Sequence, residues 1–460
     1  MNSRCSANLL NVKTKLMKKF LISVAEKLHL RIFGHKMSDQ MRSFLGNLSW
    51  SFYGGIITMP ITIIIGTLAG RFMGPEQFGE YNLVALISSY IIALSFFGLD
   101  ISTIKNVAKA KSIEKKQKSF FSSFVFIISM TALLLVVVSL LRQRISAIFG
   151  LSDTVLVFVI IYTSIVTFKL ILDILARALE KFKLQAIGRM IEIFILVVGF
   201  IVISVVYNRL NFKEYMAIIL LGAALVAVNY FIHLKNYFRN FSLTTLKRQL
   251  LEGKFFMLSS ILGTIFISSD RLLIARYIGL TELGVYSAYY AASLGLVTSL
   301  SLILTNVLLP ATAKEDDKSF IFKIDRLCKK GFIPIYIFIC VAIFIFLSLF
   351  GKEYPLKLSY VLLFALVATL NFIQMVYNIV ILDAEHKRYI QYFLISNVIN
   401  LINVGYYFIL MQYISKSINL VLVGFSVNII LTIIVQIIIT RKMIKQAPSS
   451  TLNLGDSLAK

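Results

Sequence analysis

The fold class this sequence predicts is an all-α integral membrane protein, with twelve transmembrane helices in two parallel-repeat lobes of six. Three observations predict it. Apolar runs of membrane length fill the chain, Lys and Arg are divided unevenly between alternate loops, and a motif returns after 205 residues.

The apolar runs define the helices. Hydrophobic residues make up 58% of the 460 residues and charged residues only 15%, above the roughly 45–50% apolar share of soluble domains. Segments 43–70, 81–99, 119–141, 215–234, 283–313, 358–382, 389–415 and 417–440 contain no Asp, Glu, Lys or Arg. A helix needs about 20 residues to cross a hydrocarbon core of about 30 Å. Residues 154–176, 190–208, 254–275 and 331–351 complete the set, three of them with embedded or bordering charges. The apolar–polar alternation of strands is absent, so a barrel is not expected.

The formal net charge of +25 raises the question of nucleic acid. Its distribution answers it. With the N-terminus inside, inner segments hold 36 Lys and Arg and outer segments 10, and Lys169 lies within a span. This is the positive-inside pattern of a cytoplasmic membrane protein with both termini in the cytoplasm. Basic inner loops are matched by anionic membrane lipid, and no nucleic-acid partner is expected. The three cysteines, Cys5, Cys328 and Cys340, lie in inner or membrane segments and imply no disulfide framework. The Lys-rich start lacks the apolar core and small-residue cleavage site of a signal peptide.

The repeat sets the symmetry. Arg71-Phe-Met-Gly-Pro-Glu-Gln-Phe-Gly-Glu-Tyr81 returns as Arg276-Tyr-Ile-Gly-Leu-Thr-Glu-Leu-Gly-Val-Tyr286. Six spans return the chain to its starting side, so the halves share one orientation and are related by an axis along the membrane normal. Both motifs are then tight turns on the outer face, with Gly74, Gly79, Gly279 and Gly284 supplying positive φ or close helix approach. The expected domains are a basic cytoplasmic arm (1–43), a first lobe (44–234), a cytoplasmic linker (235–254), a second lobe (255–440) and a cytoplasmic tail (441–460).

Gly74-Pro75, Phe78-Gly79 and Tyr81 after a first span, with Gly98-Leu99 and Lys105 closing the second, resemble the start of a Wzx-type polysaccharide-biosynthesis flippase. So do Ser269-Asp270-Arg271 and Leu283-Gly284-Val285-Tyr286-Ser287 at the opening of the second half. These flippases belong to the multidrug/oligosaccharidyl-lipid/polysaccharide (MOP) exporter superfamily, and the resemblance covers roughly residues 44–440. It implies two lobes around a partly basic cavity. It also implies alternating access that carries an undecaprenyl-pyrophosphate-linked oligosaccharide, for O-antigen or capsule, from the cytoplasmic to the outer leaflet of a bacterial inner membrane. Pathway partners would be a glycan polymerase and glycosyltransferases. One departure stands out. Several relatives carry basic residues midway along the first two spans, and residues 43–70 and 81–99 here have none.

Charges inside a bilayer cost about 2.5–3.5 kcal/mol each on insertion scales, so each is a candidate. Lys169, Asp173 and Arg177 are spaced four apart on the fourth span, on one helix face. They are expected to form a ladder that leaves one positive charge for a phosphate. The structural alternative is that Lys169 snorkels and Arg177 anchors the inner interface. On the seventh span Asp270 is expected to pair away from its neighbour Arg271, whose guanidinium suits a pyrophosphate. Arg276, equivalent to Arg71, is a turn anchor or a mouth residue. His233 on the sixth span is a coupling candidate or a packing residue. Asn371, Gln374 and Asn378, and likewise Asn397, Asn400 and Asn403, form polar stripes suited to sugar hydroxyls or to interhelical bonds.

No GxxxxGK[ST], HExxH or Cys/His cluster occurs, so no ATP-driven step, metal or cofactor is expected. An enzyme, such as a membrane polysaccharide polymerase, would need a sizeable outer catalytic loop that the short loops lack. A cation or drug exporter of the same superfamily is the main alternative; it would place unpaired carboxylates in its cavity.

Overall fold

The structure is a computed structural model and describes residues 39–149, 151–206, 210–301, 320–382 and 386–445, with residue 23. Most of the expected basic arm and the end of the tail lie outside the described residues. Among the described residues there is no strand.

The helices follow the apolar runs. They are α1 (Asp39–Phe96), α2 (Leu99–Lys109), α3 (Ile113–Leu140), α4 (Arg142–Phe149), α5 (Asp153–Ala178), α6 (Phe182–Ile201) and α7 (Phe212–Leu234). The second half has α8 (Leu243–Tyr277), α9 (Leu280–Tyr290), α10 (Phe320–Phe350), α11 (Leu358–Leu382), α12 (His386–Ile409) and α13 (Ile418–Lys445). Among the described residues nine helices are long and apolar enough to cross a membrane. That count takes α1 once, although Gly74 folds it into two arms, and omits α8 and α9. With these added the helices correspond to the twelve expected spans, of which residues 302–313 of the eighth lie outside the described residues. Large apolar side chains such as Leu140, Phe194, Leu401 and Ile402 stay exposed on the bundle's perimeter, where lipid rather than water is the solvent.

Polar residues mark where helices start. Ser112, Ser152 and Ser242 each accept a hydrogen bond from a first-turn backbone N–H of α3, α5 and α8, which satisfies a donor the helix itself leaves free. Asn211 and Glu214 form a capping box on α7. Two segments lying mainly between the expected spans are largely helical. Residues 99–109 form α2, and the latter part of the linker belongs to α8, which runs unbroken from Leu243. Packing explains the second difference. The Gln249 side chain is buried and hydrogen-bonds Ser119 (2.8 Å) and Ser123 (3.3 Å) of α3, so this end of α8 docks on the first half instead of hanging between lobes.

The turns of the repeat adopt one backbone shape. Gly74 has φ 76° and ψ 169°, and Gly279 has φ 132° and ψ 175°; L-residues with a side chain rarely enter this region. Beyond each turn the new helix crosses its counterpart. A Cβ on Gly79 would lie 2.0 Å from the Leu280 carbonyl oxygen, and one on Gly284 would lie 1.8 Å from that of Pro75. Pro75 and Leu280, like Gly79 and Gly284, are 205 residues apart. The contact is reciprocal, as a two-fold axis requires. The same turn end is closed by an aromatic seam. The Tyr354 hydroxyl donates to the Gly70 carbonyl (2.8 Å), and the Phe350 ring packs on those of Tyr354 (4.7 Å) and Phe78 (5.6 Å).

Candidate functional site

Two recesses flank α8. The first is a cavity of about 570 Å³ built wholly from the second half. Asn371, Gln374 and Asn378 of α11 line one wall, and Asn397, Asn400 and Asn403 of α12 line another, so both predicted stripes face the same space. Asn428 of α13, Asp270 of α8 and the rings of Tyr290, Tyr392 and Tyr407 add to its polar surface. The chain beyond Tyr290 continues through a π-turn at Ala291–Gly295. That turn stands between Tyr290 and Thr298, both lining residues, where a local change of helical pitch re-aims side chains.

Some of these amides hold the helices together. The Gln436 amide donates to Asn378 (2.7 Å) and to the Tyr392 hydroxyl (3.0 Å), and Tyr392 donates to Asn378 (2.9 Å). Asn428 donates to Asn400 (3.2 Å). Others are left over. The side-chain oxygen of Asn371 is buried with no hydrogen-bond partner. An unsatisfied buried acceptor costs about 1–3 kcal/mol.

The second recess is an apolar groove of about 700 Å³ on the other side of α8, lined by Tyr90 and Leu94 of α1, Ile265 and Leu272 of α8, and Leu401 and Phe408 of α12. Between cavity and groove sits the pair Asp270–Arg271. Asp270 is 2% exposed and accepts a hydrogen bond from Tyr286 through Oδ2. Its Oδ1 lies 4.0 Å from Arg271 Nε. The Arg271 guanidinium donates to Ser268 (3.2 Å) and lies over the Tyr290 ring at 4.4 Å. The expectation that Asp270 pairs away from Arg271 therefore holds only in part: Tyr286 is its hydrogen-bond partner, with Arg271 as nearby counter-charge. Arg271 lines neither recess and stands in the wall between them.

The ladder expected on the fourth span is corrected. Lys169 does not join Asp173 but reaches across to Glu192 of α6 at 2.7 Å. Asp173 pairs with Arg177 (3.2 Å) and accepts from Gln185 (2.9 Å) and Tyr230 (3.3 Å). Lys169, Glu192, Asp173 and Arg177 balance in two pairs, so the ladder leaves over no positive charge of its own for a phosphate. Helix packing decided this, because α6 brings a carboxylate that spacing along one helix could not reveal. His233 is exposed at the end of α7, with Nδ1 2.8 Å from the Asn229 carbonyl. It lines neither recess. Arg276 is exposed beside the Gly279 turn with its guanidinium 5.1 Å from the Tyr277 ring. Sequence reasoning missed Tyr286, Tyr392, Asn428 and Gln436 as polar partners. Asn428 and Gln436 sit in a charge-free run and share a helix face, which was the available signal.

A twelve-span bundle with an inter-half seam and a polar cavity is a carrier's architecture, and the comparisons agree. Residues 44–315, more than half the chain, match the family described as Polysaccharide biosynthesis protein. The chain belongs to that family. It is a multi-pass membrane protein with the fold of MOP-superfamily exporters. A solved inward-facing multidrug resistance MATE family transporter of the MOP superfamily superposes with a TM-score of 0.62 at 14% identity, over 84% of this chain and 94% of the other. The outward-facing form of a transporter so described gives 0.54 at 17% identity, over 85% and 95%. A MATE in the straight conformation gives 0.53 at 16%, over 87% and 96%. No curated protein matches the chain in sequence.

Proposed function

We propose that this protein is a flippase for an undecaprenyl-pyrophosphate-linked oligosaccharide. It moves this lipid from the cytoplasmic to the outer leaflet of a bacterial inner membrane by alternating access. The observation that carries the reading is the amide-lined cavity, taken with membership of the polysaccharide family. A cation exporter needs an unpaired carboxylate, whereas Asp270, Asp173 and Glu192 all have counter-charges. An amphiphile with sugars, a diphosphate and a polyprenyl chain meets matching chemistry around α8: amides on one side, an apolar groove on the other, and Arg271 between. Guanidinium is the cation best shaped for a diphosphate. The lobes touch at the end carrying the Gly74 and Gly279 turns, the outer end on the positive-inside rule. The α1–α9 crossing closes the outer end, while the inner end of α8 also meets the first half at Gln249 and Gly253.

The test is deletion of the gene. Surface glycan should fall while undecaprenyl-linked precursor accumulates, shielded from reagents outside spheroplasts. Failure to make any precursor would place the chain in synthesis instead. Normal surface glycan with lost resistance to cationic dyes would favour drug export.

A further inference from the structure

The 205-residue offset extends far beyond the turns. Under it α5 overlays α11 and α6 overlays α12. Lys169 then corresponds to Gln374, Asp173 to Asn378 and Glu192 to Asn397. Three charged positions in the first half have become three amides in the second, all three lining the cavity. In the first half the charges are consumed by Lys169–Glu192 and Asp173–Arg177 pairs. In the second half the same positions are uncharged, and one turn from Gln374 the side-chain oxygen of Asn371 has no hydrogen-bond partner among the described residues. Among the described residues no cation lines the cavity, and the one carboxylate found there, Asp270, is engaged by Tyr286.

We propose that the second-half cavity is the subsite for the uncharged, polyhydroxylated sugars of the substrate, and that the first half contributes no equivalent subsite. This rests on the flippase reading. Amides donate and accept at once, which is what a sugar hydroxyl requires. A diphosphate would find no positive charge among the described lining side chains. The volume lies within the range of about 300–1,000 Å³ typical of ligand pockets, and the Tyr290, Tyr392 and Tyr407 rings offer apolar faces to the C–H surface of a sugar ring. A site built to hydrogen-bond hydroxyls rejects ligands that lack them, because its polar groups are then left unpaired. Discrimination for a neutral glycan would thus reside in one half of the chain.

Binding of two probes to the purified full-length protein in nanodiscs tests this. One is undecaprenyl diphosphate without sugar; the other is the lipid-linked glycan extracted from cells lacking the gene. Asn371→Leu removes an oxygen that has no internal partner, so the fold loses no hydrogen bond through it. Asn378→Asp keeps the oxygen that accepts from Gln436 and Tyr392 while removing the amide donor and restoring the charge found in the first half. Each variant should bind the glycan-bearing probe about tenfold more weakly, the effect of roughly one good hydrogen bond, and bind the sugar-free probe as the parent does. Unchanged glycan binding in both variants, or equal weakening of both probes, overturns the subsite while leaving the flippase reading intact. Failure of the unaltered protein to bind either probe overturns both.

Discussion

The Lys169 ammonium lies 2.7 Å from Glu192, with side-chain exposures of 18% and 36%. In a lipid-facing protein that pair is a structural strut between α5 and α6. Removing one partner strands the other, and a hydrogen bond to a charged group is worth about 1.5–3 kcal/mol, reduced here by the partial exposure of Glu192. Lys169→Gln alone should lower the thermal midpoint of the purified protein by a few degrees. Adding Glu192→Gln should restore most of the loss. A double variant no better than the single would show that the pair does not couple. Arg271 is a different case. Its guanidinium is held by Ser268 and Tyr290 beside the cavity, so Arg271→Gln should leave the protein inserted and abundant while reducing binding of both the sugar-free and the glycan-bearing lipid. Retention of full binding of the sugar-free lipid would move the headgroup contact elsewhere.

At the scale of elements, the crossing of α1 and α9 is the tightest contact between the halves. Each glycine lies against the other helix's first-turn carbonyl, closer than any Cβ can approach. Gly79→Ala or Gly284→Ala must push the helices apart, and overpacking of this kind costs typically about 1–3 kcal/mol. Both variants should lower the thermal midpoint, and by similar amounts, because the two positions are related by the repeat. A neutral result at either would mean that the crossing yields freely. Gly279→Ala tests backbone conformation alone. Nothing lies within 4 Å of its Cβ position, so any loss there reports the positive φ rather than a clash.

The molecule as a whole is a pseudo-symmetric shell with unlike contents. Its outer shape repeats at 205 residues from α1 to α13, while the interior is ion-paired in the first half and amide-lined in the second. The shared orientation of the halves makes a topological prediction. Reporter fusions at residues 112 and 245 should report the cytoplasm, and those at 76 and 281 the outside. An outside signal at 112 or 245 would break the parallel arrangement of the halves and, with it, the assignment of the closed end to the outer face.

Membrane class, spans, and the placing of both glycine turns on one face were legible in the sequence. Each depends on a property that sums along the chain: hydropathy over about 20 residues, loop charge, and an exact offset between two motifs. The polar stripes on α11 and α12 were legible for the same reason, since helical spacing puts Asn371, Gln374 and Asn378 on one face without reference to any other helix. What the stripes face was not legible. That Lys169 meets Glu192 rather than Asp173, that Tyr286 bonds Asp270, that His233 lines neither recess, and that two stripes close on a single cavity were decided by how helices distant in sequence pack. Pairing between charges and amides in a bilayer is set by distances of about 3 Å across helix interfaces, and only the tertiary structure determines which side chains come that close.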